Sequence, residues 1–300
     1  TRDLRVRAQT PFLRKYLPGN PTIVHEFMDG GGGRKAANHI YRTARPDGLT
    51  IGAMTPGFVP SAVLGETGVL YDLDKTIYLG SPDGGAQWIF ATRKALGADS
   101  LAKLRALSGL RIGAQAVGHP IYLTGRLFAY LLGLKDPRFV TGYTTQEIDI
   151  ALLRGEVDGR SNLAETVVHR SPEWISKQLV DFHAIIEVQK GIRPSQFAQV
   201  PELETLTKTD LDRKILALLR GFRATGSPNI LPPGTPKDRV QILQEAMRKT
   251  FRDPEFHKEF KKLAGDDAAP LMAEELEKAV TDMPREPEVI EAFKKLSGAD

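Results

Sequence analysis

The spacing of apolar residues predicts an α/β protein. Over the first 54 residues, two segments with helical spacing alternate with two short apolar runs, at 3–17, 22–28, 34–43 and 49–54. Asp3 is suited to cap the first helix, whereas Pro11 argues against an unbroken helix because an interior proline kinks it. This helix–strand order favours a parallel sheet with crossover helices.

The alternation continues to about residue 188 and then gives way to helices. Further strands are predicted at 77–80, 87–92, 110–114, 139–142, 157–159 and 181–188, and helices at 100–107, 122–132, 145–154 and 172–179. The tail carries four more helices, at 236–251, 254–263, 273–280 and 287–296.

The order of elements predicts two lobes. The first would comprise residues 1–108 plus 221–300, and the second residues 109–220. The chain would return to the first lobe through a crossover strand at 222–225. Two such lobes would leave a cleft, and clefts between domains favour ligand binding.

Composition narrows the class of protein. The chain has 300 residues and no cysteine, which excludes a disulfide framework, a thiolate metal site and a thiol nucleophile. The net charge is +4, and the charges are interspersed, so we expect no nucleic-acid partner. No apolar run could cross a membrane, and no signal peptide is present. Because the chain opens with polar residues at Thr1, we expect a processed or truncated form.

Two glycine-containing segments are candidate anion sites. The glycine loop, residues 30–33, lies between a predicted strand and a predicted helix, so Gly30 and Gly31 could let main-chain amides approach an anion. Gly118 and His119 precede the helix predicted at 122–132, where the same physics applies. A flexible turn and a capping histidine are the alternative interpretations.

Other polar residues also follow predicted strands. Thr55, Gly57 and Asp83 do so, although both segments are also typical of turns. Tyr143 and Asn162 follow the strands at 139–142 and 157–159. Arg160 could pair with a substrate carboxylate through two N–H groups, or could be solvated.

Catalytic signatures are missing from the sequence. No zinc-protease pattern, Gly-x-Ser-x-Gly elbow or Walker loop occurs among its motifs. We therefore expect no catalytic residue, no metal and no cofactor. The alternative is an α/β enzyme acting on a small anion, with His119 as general base.

Four ordered segments resemble the periplasmic receptors of tripartite tricarboxylate transporters, the Bug family. They lie at residues 18–52, 112–128, 151–158 and 231–255, and include Pro46-Asp47-Gly48, Gly125-Arg126-Leu127-Phe128, Arg154-Gly155-Glu156-Val157-Asp158 and Leu231-Pro232-Pro233-Gly234-Thr235-Pro236. Together they span nearly the whole chain.

The resemblance implies a two-lobe Venus-flytrap fold, of the type II-like periplasmic binding proteins, and a mono- or dicarboxylate ligand. In that family, main-chain amides and ordered waters hold a ligand carboxylate. Gly118 and His119 match a helix start that contributes such amides, and Tyr122 stands where a histidine is common. Asp3 matches the Asp that opens the family's first helix, while the preceding strand and most of its loop are missing here.

We therefore expect an extracytoplasmic, periplasmic solute-binding protein that is a monomer and delivers a small carboxylate to membrane permease subunits. A subunit that presents its ligand to a membrane sensor is a further alternative. The expected ligand contacts are Asp3, Gly30, Gly31, Thr55, Gly57, Asp83, Gly118, His119, Tyr122, Tyr143 and Asn162.

Overall fold

The computed structural model describes residues 2–265 and 267–298. Thr1, where a processed start is expected, lies outside these residues. The helices are α1 (Arg2–Tyr16), α2 (Arg34–Arg42), α3 (Phe58–Val63), α4 (Leu101–Ala106), α5 (Pro120–Leu132), α6 (Thr145–Arg154), α7 (Ala164–Arg170), α8 (Glu173–Ser176), α9 (Asp210–Thr225), α10 (Lys237–Arg252), α11 (Pro254–Ala264), α12 (Ala273–Thr281) and α13 (Pro287–Ser297). The strands are β1 (Gly52–Ala53), β2 (Ile77–Gly80), β3 (Trp88–Arg93), β4 (Arg111–Gly113), β5 (Arg138–Val140), β6 (Gly159–Leu163), β7 (Val180–Ile186) and β8 (Asn229–Leu231).

The chain divides into two compact units. The first unit is Thr1–Gly85 with Gly221–Met283, and the second is Ala86–Arg220 with Pro284–Asp300. The chain returns to the first unit at Gly221. Residues 86–108 and 284–300, which the sequence assigned to the first lobe, group with the second unit because β3 pairs with β6 and β7 and α13 packs on α5.

The first unit contains a three-stranded sheet in the order β1–β8–β2. Strand β8 is antiparallel to both neighbours, with Gly52 opposite Ile230 and Ile77 opposite Leu231. The strand predicted at 22–28 is wrong, since residues 20–30 have no regular structure. Thr, Ile and Val favour a strand, but a strand also needs a neighbour, and no described strand pairs with this segment. Val24 is consequently 79% exposed.

Helix α1 packs against α10 and α11 and forms the main core of the first unit. Leu13 joins Phe251, Phe256 and Phe260 in this cluster, and Phe12 meets Phe256 edge to face at 5.9 Å between ring centroids. Pro11 does not end the helix. It is exposed, on the side of α1 away from the buried Leu13.

The second unit contains a five-stranded sheet in the order β5–β4–β6–β3–β7. Strands β5, β4 and β6 are parallel, whereas β3 is antiparallel to both β6 and β7. The sheet is therefore mixed rather than purely parallel as predicted. The three parallel strands end at the same edge, and the segments that follow them lie side by side.

The two faces of this sheet carry different helices. Phe90 of β3 packs on Phe128 of α5 at 5.5 Å, while Ile89 and Ala91 belong to a cluster with Leu152 of α6. Neighbouring residues of a strand point to opposite faces, which explains this division.

A strand predicted at 222–225 is also wrong, because these residues complete α9. Leu216, Leu219 and Phe222 recur at helical spacing and are buried. The local preference of aromatic and β-branched residues for a strand is therefore outweighed by the helical spacing of apolar residues over a longer segment. Helices α3 and α7 and the remainder of α9 are not predicted by the apolar spacing.

No helix within the described residues is long and apolar enough to pass through a bilayer.

Candidate functional site

In the second unit, several predicted site residues follow the three parallel strands. The segment after β4 holds Gly118 and His119, the segment after β5 holds Tyr143, and Asn162 lies near the end of β6. Hydrogen bonds connect the first two segments: the Gly142 amide donates to the Gln115 carbonyl at 2.6 Å, and Gln115 Nε2 donates to Thr145 Oγ1 at 2.7 Å. The carboxyl edge of a parallel sheet is a common place for ligands.

His119 caps α5 with its own side chain. Its Nδ1 accepts the amide hydrogen of Ile121 at 3.2 Å, and its carbonyl accepts the Leu123 amide at 2.9 Å. Pro120 at the first helical position has no N–H. The start of this helix therefore offers fewer amides to an anion than its sequence suggested, and the capping interpretation of His119 matches this geometry. Gly118, with φ of +81°, is exposed beside it.

Tyr122 is a buried packing residue. It is 6% exposed, meets Phe139 edge to face at 5.3 Å, and accepts a hydrogen bond from Arg126 Nη1 at 2.9 Å. The Arg126 guanidinium also lies 5.5 Å from the Tyr122 ring centroid, a cation–π distance. These contacts occupy the hydroxyl and the ring.

Tyr143 adjoins the start of α6, where Thr144 and Glu147 form a capping box. Thr144 Oγ1 accepts the Glu147 amide at 3.3 Å, and Glu147 accepts the Thr144 amide at 2.7 Å. Hydrogen bonds from the Thr144 backbone amide and from the Thr144 side chain lower the pKa of the Glu147 carboxyl. Tyr143 itself packs partly buried against the core cluster that includes Leu152 and Trp174.

Asn162 and Arg160 bring buried polar groups to β6. Asn162 is 4% exposed, and its Oδ1 accepts the Leu163 amide at 2.9 Å. Arg160 is 0% exposed, donates from Nε to Ser161 O at 3.1 Å and from Nη1 to Thr145 O at 2.9 Å, and pairs with Asp149 of α6. Arg160 is not among the expected contacts. Because it lies two residues before Asn162 in the same strand, the two side chains lie on one face of the sheet.

Burial dominates the electrostatics of this ion pair. Desolvation raises the pKa of the Asp149 carboxyl, and the Arg160 charge opposes that rise. Desolvation lowers the pKa of the Arg160 guanidinium, and Asp149 opposes that fall. Each ion is therefore stabilised mainly by its partner.

In the first unit, the glycine loop comes together with Thr55 and Gly57. Thr55 Oγ1 donates to the Gly32 carbonyl at 3.0 Å, and that carbonyl oxygen lies 4.0 Å from the position a Cβ would occupy at Gly57. A Cβ at Gly33 would lie 2.5 Å from Thr55 Cγ2, so this position requires glycine. The loop, including Gly30 and Gly31, is exposed on its other side and leads into α2.

Two further predicted residues of the first unit have partners within the protein. Asp83 accepts hydrogen bonds from the Ser227 amide at 2.7 Å, the Ser227 hydroxyl at 2.9 Å and the Ser81 hydroxyl at 3.1 Å, and pairs with Arg5. Asp3 accepts from Arg7 Nε at 2.8 Å, one turn along α1. Asp83 thus ties α1 to β2 and to the segment before β8.

A cavity of about 390 Å³ in the second unit has a different lining. Its walls are Arg126, Ala129, Tyr130, Leu134, Pro137, Phe139 and Leu296. None of the eleven predicted contacts lines it, and its side chains are mostly apolar. Within the described residues, no three His, Asp or Glu side chains gather as metal ligands.

Comparison with solved structures identifies the fold. The chain is similar to a TctC solute-binding protein from Polaromonas, with 16% identity, a TM-score of 0.70, and coverage of 99% of this chain and 93% of that one. It is similar to the periplasmic binding protein BugD, with 20% identity, a TM-score of 0.56, and coverage of 98% and 93%. It is also similar to MatC from Rhodopseudomonas palustris with bound malate, with 20% identity, a TM-score of 0.54, and coverage of 99% and 94%.

No family model matches the sequence. No curated protein matches it either. The structural likeness confirms the predicted α/β binding-protein fold and the resemblance in fold to tripartite tricarboxylate receptors.

Proposed function

We propose that this chain is an extracytoplasmic solute-binding protein that captures a small mono- or dicarboxylate for a tripartite tricarboxylate-type transporter. The observation that carries the proposal is the likeness, over 98–99% of the chain, to a TctC solute-binding protein, to the periplasmic binding protein BugD and to MatC with bound malate. The ordered sequence segments support it independently, because sequence and fold indicate the same class.

Two local arrangements support an anionic ligand. The glycine loop presents exposed main chain beside Thr55 and Gly57, and exposed amides are suited to a carboxylate. The edge of the second unit's sheet presents Gly118, Tyr143 and Asn162 together with the buried Arg160. We propose these residues as ligand contacts, each set within its own unit.

The remaining predicted contacts have weaker support. Tyr122, Asp83 and Asp3 already bond to protein groups, so we propose that they hold the surrounding structure rather than the ligand. His119 Nδ1 accepts a hydrogen bond from the Ile121 amide, which counts against His119 acting as a general base through that nitrogen. Binding without catalysis is therefore the preferred function, and permease subunits are the proposed partners.

Thermal unfolding with a carboxylate panel tests the proposal. A ligand that binds only the folded state raises the melting temperature with increasing concentration, and stabilises by about 2.7 kcal/mol at a hundredfold excess over Kd. We expect this for at least one mono- or dicarboxylate and not for its uncharged amide. A flat response to C3–C8 mono- and dicarboxylates would overturn the function.

A further inference from the structure

Strand β6 carries two buried donors without an acceptor in the described part of the chain. They are Arg160 Nη2 and Asn162 Nδ2, which together form the donor pair. Buried polar groups are almost always hydrogen-bonded, and an unsatisfied one is costly. Two such donors, two residues apart on one face of one strand, call for a common explanation.

The other atoms of both side chains hold the donor pair in place. Arg160 is fixed through Nε by Ser161 O and through Nη1 by Thr145 O and Asp149. Asn162 Oδ1 accepts the Leu163 amide, which leaves the amide nitrogen on the other side of the group. The two donors are therefore oriented before any acceptor arrives.

The cross-strand neighbours of the donor pair offer no acceptor side chain. Ala91 is opposite Arg160, and Ile89 is opposite Asn162. Both belong to an apolar cluster that also contains Leu152 and Trp174. In such surroundings a hydrogen bond to a charged acceptor is strengthened.

The Arg160 guanidinium also lies at the first turn of α6, a helix of ten residues, because Nη1 contacts Thr145 O. The amino end of a helix favours negative charge. Tyr143 and Thr145, on either side of the Thr144 cap, are partly buried.

We propose that Arg160 and Asn162 form a subsite that takes one carboxylate of a dicarboxylate ligand. A carboxylate has two oxygens and can accept from a guanidinium edge and an amide together, whereas a terminal methyl group would leave both donors unpaired. The subsite thus discriminates dicarboxylates from monocarboxylates of equal length. This inference rests on the proposed function.

The experiment compares two variants and one control by titration calorimetry. Arg160→Lys keeps the charge but removes the guanidinium fork, and Asn162→Asp places a carboxylate where the ligand's would lie. The control is Arg111→Lys, because Arg111 binds Asp158 through Nε and Nη2, both at 2.9 Å, at the opposite edge of the same sheet. The probes are succinate with butyrate and adipate with hexanoate.

We expect the wild-type chain to prefer a dicarboxylate, and each variant to lose about 10- to 100-fold in affinity for it, the range for a charged hydrogen bond. Affinity for the matched monocarboxylate should change less than about threefold, and Arg111→Lys should leave the ratio unchanged. Asn162→Asp should also raise the melting temperature without ligand, because its carboxylate accepts from Arg160 Nη2. This variant preserves the test if Arg160→Lys fails to fold.

Wild-type dicarboxylate preference that survives in Asn162→Asp would overturn the subsite and leave the proposed function intact. Equal wild-type affinity for both members of each pair would do the same. Absence of binding to any mono- or dicarboxylate would overturn the proposed function, and the subsite with it.

Discussion

The two units differ in the polar groups that they carry at the proposed ligand contacts. In the first unit, the glycine loop, Thr55 and Gly57 bring together exposed main chain, and the nearby Arg34–Glu66 ion pair is partly exposed, with 31% and 43% of the two side chains accessible. In the second unit, a fully buried arginine pairs with Asp149. Backbone groups can recognise any carboxylate, whereas fixed side-chain donors can distinguish one from another. Under the proposed function, capture would therefore rest on the first unit and selectivity on the second.

The largest expected difference concerns the two ion pairs. Asp149→Ala leaves Arg160 buried without a counter-charge, so we expect the free energy of unfolding to fall by about 3–5 kcal/mol. Glu66→Ala, the matched change in the first unit, should cost about 1 kcal/mol because water solvates Arg34. Urea unfolding followed by circular dichroism measures both values. Equal losses would contradict the contrast between a buried and an exposed pair.

The next effect tests how tightly the glycine loop is built. Gly33→Ala must accept a φ of +99° and a Cβ placed 2.5 Å from Thr55 Cγ2, so we expect a loss of about 3 kcal/mol. The control is Gly32→Ala, where φ is +65° but no atom lies within 4 Å, so backbone strain alone should cost about 1 kcal/mol. If the two variants had the same melting temperature, the close contact with Thr55 would add nothing to the loss of stability.

A smaller, pH-dependent effect comes from His183 in the second unit. Burial lowers its pKa to about 4, and its Nε2 lies 2.7 Å from Thr92 Oγ1. Between pH 6.5 and 4 the unfolded chain binds a proton at this site and the folded chain does not, so stability falls as the pH falls through this window. We expect this residue to contribute about 2–3 kcal/mol to the fall.

His183→Gln should remove that part of the slope while leaving the slope above pH 7 unchanged. Parallel unfolding titrations of both proteins from pH 8 to pH 4 measure the difference. Identical slopes would show that burial does not lower the pKa of His183.

Much of the fold follows from local signals in the sequence. Helices α5 and α6 are predicted from the spacing of their apolar residues, and in the structure Gly133 and Gly155 end them in the left-handed conformation. The segments at 22–28 and 222–225 have equally strong strand composition. The first pairs with no strand among the described residues and the second lies within α9, and neither fact can be read from a short window of sequence.

The candidate site was predicted less completely for the same reason. Gly118 and Tyr143 follow strands of the second sheet, whereas Asn162 lies within β6 rather than after a strand. The pairing of Arg160 with Asp149 depends on α6 lying over β6, which is tertiary information. His119 and Tyr122 were expected to contact a ligand. In the structure, His119 Nδ1 accepts the Ile121 amide and the Tyr122 hydroxyl accepts from Arg126.

The division of the chain also governs the order in which its parts can fold. The first unit needs residues 221–283, and the second needs α13, which packs on α5. Neither unit is therefore synthesised as one continuous segment. The first unit is complete only after residues 86–220 of the second have been made, and the second only after α13 has been made. A chain that ends at Met283 would contain the segments of the first unit but would lack α13, the helix that packs on α5.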